Sequence, residues 1–106
     1  MDSLDHIKNT MKLLEDELDE YGRLGIVSAE KETEYKTWRA KLFLESKLDK
    51  TLKTVAEREA WVDSRTETER LEYLSAHSQL EAQKQRTQTL RAILNGLQTL
   101  ASNSRI

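Results

Sequence analysis

The sequence predicts an all-α fold: a long antiparallel helical hairpin with an additional N-terminal helix, packed in coiled-coil fashion and assembling as a homo-oligomer. Three observations predict it. Leu, Glu, Lys, Arg and Ala supply about half of the 106 residues, the bias of long helices. Pro is absent and only three Gly are present, so little interrupts a helix. Apolar residues recur at spacings of three and four along most of the chain, and no alternating strand pattern competes with them.

The first helix is expected over residues 3–21. Leu4, Ile7, Met11, Leu14, Leu18 and Tyr21 are spaced 3, 4, 3, 4, 3, a strict a/d seam. Gly22 and Gly25 follow, and glycine accepts the left-handed conformation that ends many helices. The expected division is therefore an acidic amphipathic helix over 1–22, a glycine-containing linker over 23–27, and a basic, oligomerising hairpin over 28–106. Ser28 caps the second helix, expected over 28–53. Its apolar positions Tyr35, Trp38, Leu42, Leu44, Leu48 and Leu52 span about half the circumference at roughly 100° per residue, more than one partner helix covers. Glu45 falls inside that arc without an explanation.

Three capping boxes crowd the next stretch: Thr54 with Glu57, Ser64 with Glu67, and Thr66 with Glu69. They predict a short helical piece over 56–62 and a turn at Asp63 and Ser64, with one unbroken helix as the alternative. The last helix is expected over 67–101. Its seam is Tyr73, Ala76, Leu80, Gln83, Thr87, Leu90, Leu94, Leu97 and Ala101. Polar Gln83 and Thr87 in that seam cost stability and set register or oligomeric state. Asn103, Ser104 and Arg105 read as a frayed end. A single hairpin cannot cover Tyr35, Trp38, Leu42, Leu48, Leu52, Leu90, Leu94 and Leu97, which predicts self-association. A three-helix monomer is the competing arrangement.

The inventory argues against an enzyme. Without Cys there is no disulfide and no thiolate zinc site. His77 and Glu81, one turn apart, offer two metal ligands and no third nearby, so neither metal nor cofactor is expected. No glycine-rich phosphate loop exists, and no Ser or Thr stands beside a base. No apolar run is long enough for a membrane span, and no charged-then-apolar leader opens the chain, so the expected location is the cytoplasm.

Charge is the informative feature. The formal total of -2 hides four blocks. Residues 1–22 carry two basic and seven acidic groups, and 36–58 carry seven basic and three acidic. Residues 59–81 carry two basic and six acidic, while 82–106 carry four basic and none acidic. A hairpin turning near residue 63 would set Lys84, Arg86 and Arg91 level with Lys36, Arg39 and Lys41. By helical phase, Lys36, Arg39, Phe43, Lys47 and Lys50 share a face almost opposite the apolar arc. Aromatics between cations hold single strands, the bases stacking while the cations track phosphates. Lys36, Arg39, Lys41, Phe43, Lys47, Lys50, Lys84 and Arg91 are therefore the candidate nucleic-acid interface. A solvated face laced by i,i+4 pairs accounts for Lys36 with Glu32, Lys41 with Glu45 and Lys53 with Asp49. It leaves Arg39, Lys47, Lys50, Arg86 and Arg91 without a local acidic partner.

The segment Tyr35-Lys36-Thr37-Trp38-Arg39-Ala40-Lys41 opens a longer pattern. A basic helix, a short capped connector and a terminal helix ending Arg91-Ala92-Ile93-Leu94-Asn95-Gly96-Leu97 follow it. Over about residues 28–104 this resembles the phage recombination mediators of the UvsY type. The match is most direct at Tyr35, Trp38 and Lys41, and the acidic N-terminal helix lies outside it. The resemblance implies single-stranded DNA binding, a ring-like homo-oligomer, and loading of a strand-exchange recombinase onto DNA coated by single-strand binding protein, in the service of recombination and repair. Two other classes stay open: a small phage-type inhibitor whose acidic helix occupies a host nucleic-acid enzyme, and a structural coiled-coil adaptor.

Overall fold

The computed structural model describes residues 3–103. Among them are three helices and no strand: α1 Ser3–Ser46, α2 Val55–Arg65 and α3 Glu67–Asn103. Ser104 and Arg105 of the expected frayed end lie outside the described residues, and Asn103 closes α3. No helix among the described residues is long and apolar enough to cross a membrane.

The expected break at residues 23–27 does not occur. α1 runs unbroken for 44 residues, and both Gly22 and Gly25 have helical backbone with no positive φ. The reason is the seam. Half-buried or buried positions continue through Tyr21, Leu24, Ser28, Lys31 and Tyr35 at spacings of 3, 4, 3 and 4. Packing along that row outweighs the roughly 1 kcal/mol that a helical glycine costs. Gly25 also brings the backbone close to a neighbour: a Cβ there would lie 3.9 Å from Leu80 Cδ1.

α1 ends at Ser46, seven residues before the expected 53. Ser46 is fully buried and its hydroxyl donates to the Phe43 carbonyl at 2.6 Å. The next amides, of Lys47, Leu48 and Asp49, reach back three residues instead of four, which tightens the chain out of the helix. Asp49 then accepts from the Thr51 amide at 2.9 Å and from its hydroxyl at 2.6 Å, an Asx turn. These bonds hold the Asp49 carboxyl below the usual aspartate range.

The first capping box forms in its Thr54 half, with the Glu57 carboxylate reaching one residue further back than the N-cap amide. Thr54 accepts from the Glu57 amide at 3.1 Å, and the Glu57 carboxylate accepts from the Lys53 amide at 3.2 Å. The other two do not. Ser64 and Thr66 turn their hydroxyls back onto the Trp61 and Val62 carbonyls. The joint between α2 and α3 is the single residue Thr66, two positions beyond the expected turn. Thr66 and Val62 are both fully buried, so packing places the joint.

The chain forms two compact units, Met1–Gly25 with Gln79–Ile106, and Ile26–Ser78. In the first, Gln83 Nε2 donates to the Glu17 carbonyl at 2.9 Å, and Arg86 Nε lies 3.0 Å from the Glu17 carboxylate. In the second, the Tyr35 and Tyr73 rings stack at 5.7 Å, Lys31 reaches Glu72 at 3.5 Å, and Arg39 pairs with Asp63. These contacts replace the expected hairpin register, in which Lys84, Arg86 and Arg91 would sit level with Lys36, Arg39 and Lys41. That register would oppose cation to cation. The adopted one sets the acidic start of α1 against the carboxylate-free end of α3, and the basic end of α1 against the acidic stretch after residue 58.

The core is thin. Leu24, Leu42, Val62 and Ala76 are its buried apolar residues among those described, beside buried Ser28, Ser46, Thr66, Gln83 and Thr87. On α3 the expected seam is fully realised: each position from Tyr73 to Ala101 is buried or half-buried. On α1 the inward face is rotated from the expected arc. Tyr35, Arg39, Leu42, Phe43 and Ser46 turn inward, whereas Trp38 and Leu44 are exposed. Glu45 is exposed too, so it never lay on an apolar face. Leu48, expected in the core, is 82% exposed because the helix has already ended.

Candidate nucleic-acid interface

The candidate residues fall on two separate parts of the chain. Lys36, Arg39, Lys41 and Phe43 occupy the last turns of α1, with Lys47 and Lys50 in the connector that follows. Lys84 and Arg91 are exposed on α3 in the unit that holds the acidic start of α1. Lys47 and Lys50 lie beyond Ser46, so no helical stripe joins them to Arg39.

Two candidate cations already have partners. The Lys36 ammonium bonds the Glu32 carboxylate at 2.7 Å, the i,i+4 pair read from the sequence, and this contact raises the lysine above its ordinary pKa. Arg39 is half-buried, and its guanidinium is held by Asp63, which raises it as well. Asp63 is 24 positions away in sequence, beyond the reach of any local pairing rule. Arg86 is likewise satisfied by Glu17, through tertiary structure. The pairs expected for Lys41 with Glu45 and Lys53 with Asp49 do not form.

The remaining cations keep their charge available. Lys41, Lys47, Lys50, Lys84 and Arg91 make no ion pair among the described residues. Lys41 and Lys47 instead stand beside aromatic rings. Lys41 Nζ lies 5.5 Å from the Trp38 ring centre and Lys47 Nζ 5.6 Å from that of Phe43. An ammonium over a ring face is attracted by the ring quadrupole while its hydrogens stay open to an anion. Lys36, Arg39, Ala40, Phe43 and Leu44 line a shallow concavity of about 470 Å³, which puts three candidate residues around one hollow.

Sequence reasoning missed a third couple. On α2 the Arg65 guanidinium lies 4.0 Å over the Trp61 ring. The available signal was the spacing Arg58, Trp61, Arg65, which puts two guanidiniums and an indole on one face of a helix. Among the described residues no three His, Asp or Glu side chains gather as a metal site requires. Comparison with family models, curated proteins and solved structures finds no match to this chain.

Proposed function

We propose that this protein is a non-catalytic single-stranded DNA-binding module that acts as a homo-oligomeric recombination mediator, helping a strand-exchange recombinase load onto DNA. The observation that carries the reading is the pairing of unneutralised lysines with aromatic rings, Lys41 with the exposed Trp38 and Lys47 with the half-buried Phe43. Single strands are held by this combination, since every base has a face to stack and every linkage a phosphate to neutralise. Lys50 extends the available charge along the connector, and the hollow beside Phe43 has room for a base. The long exposed Leu44 and Leu48 side chains support assembly, which repeats a weak patch and raises avidity without new contacts.

The test is titration with a short oligonucleotide at several salt concentrations. Lys47→Ala with Lys50→Ala is expected to flatten the salt dependence by roughly 0.7 log units per lost phosphate contact. Phe43→Ala is expected to cost about 1–3 kcal/mol of stacking with the slope nearly unchanged. A double lysine variant that binds as tightly as wild type, with the same slope, would leave a structural adaptor.

A further inference from the structure

We infer that α2 carries a second stacking site for an unpaired nucleobase, with Trp61 as its platform and Arg65 and Arg58 as the flanking cations. This rests on the single-strand reading above and extends it to a helix outside the candidate stripe. The geometry is built in. Val62, fully buried, anchors α2, so the adjacent Trp61 is held half-buried with part of its indole outward. Arg65 lies over that ring, and its Nη1 reaches the Trp61 carbonyl at 3.4 Å and Ser64 Oγ at 3.5 Å. Both are weak contacts, so the guanidinium can slide to admit a base or cap it from the other side. Arginine suits this role because its planar group stacks while its edge still donates to phosphate.

Arg58 supplies the independent observation. Its Nε is buried and has no hydrogen-bond partner among the described residues. That nitrogen is closed to solvent, so an anion would meet half-buried Arg58 through the outer edge of its guanidinium, on the helix face that also holds Trp61 and Arg65. Of the carboxylates on α2, Asp63 is held by Arg39 and Glu57 accepts from the Lys53 amide. Arg65 also adds to the lowering of the Asp49 carboxyl, behind the Thr51 bonds, so the connector and this end of α2 share one local field.

The chain's two tryptophans make the test direct. Trp38→Phe leaves Trp61 as the sole tryptophan, and Trp61→Phe leaves Trp38, with excitation chosen to avoid the three tyrosines. Each variant is titrated with a poly-dT oligonucleotide, with binding read separately by the anisotropy of a dye on the DNA. Quenching of Trp61 that saturates together with the anisotropy is the expected result. Binding by anisotropy with Trp38 quenched and Trp61 unchanged would overturn the α2 site while leaving the single-strand reading intact. No anisotropy change in wild type would remove both. Arg65→Gln, on an exposed side chain, tests the site with both tryptophans in place, binding being read by anisotropy. It is expected to weaken binding severalfold and to flatten the salt slope by roughly 0.7 if its phosphate contact is lost. An unchanged slope and affinity in that variant would count against the site.

Discussion

Arg39 and the connector lysines separate two roles that a charge count merges. Arg39 is half-buried and tied to Asp63, so its work is structural. Arg39→Ala is expected to destabilise the fold by up to about 1 kcal/mol, the modest value of a partly exposed pair, as urea denaturation would show. Lys47→Ala is expected to leave the urea midpoint unchanged and to alter only DNA binding. Asp49 adds a pH dependence with a defined sign. Its folded carboxyl lies below the ordinary 3.8 because Thr51 donates to the ionised form. The stability it contributes is therefore complete above that value and is lost as pH falls through the lower folded value. Acid titration followed at the Thr51 amide by NMR should show this transition in wild type and not in Asp49→Asn. Residue type and spacing made Lys36 with Glu32 legible, whereas the lysine–aromatic couples were not, since the expected arc placed Trp38 in the core and Phe43 opposite it. Nor was the fate of Arg39 and Arg86, because their partners come from distant segments that only the helix register brings near.

At the scale of elements, α3 was readable from end to end and α1 was not. α3 keeps a regular seam whose polar members, Gln83 and Thr87, stay in phase with the leucines. In α1 the seam passes through Ser28 and Lys31, which hydrophobicity does not flag, just where two glycines suggest a stop. Continuity there makes a direct prediction. A Cβ at Gly22 would meet nothing within 4 Å, and at Gly25 only an ordinary contact at 3.9 Å. With helical φ at both, Gly22→Ala and Gly25→Ala should each raise stability by about 0.5–1 kcal/mol. A linker needing left-handed glycine would instead lose stability, so thermal melts of the two variants decide between the forms. The connector obeys the same logic from the other side: Thr54→Ala removes the cap of α2 and should cost about 1 kcal/mol.

Across the whole molecule, charge and apolar surface carry complementary information. Within each unit opposite charges meet across the helices, Glu17 with Arg86, Lys31 with Glu72 and Arg39 with Asp63, which favours this register beside the few buried apolar side chains. The same thin core leaves large apolar residues uncovered, with Leu44 at 65% and Leu48 at 82% exposure. Burying a leucine contributes about 1.5–3 kcal/mol, so the proposed association would gain by covering these residues. Position decides which substitution can test it. Leu94 is half-buried within the chain, so a charge there would unfold the protomer whether or not it assembles. Leu48 sits outside every helix and touches little of its own chain, so Leu48→Asp should keep the helical content unchanged. Sedimentation should then show a lower mass than wild type, with the difference growing on dilution. A wild-type monomer at high concentration, or a Leu48→Asp variant of undiminished mass, would show that this surface does not join copies. The proposed DNA interface would in that case have to work through the contacts of one chain.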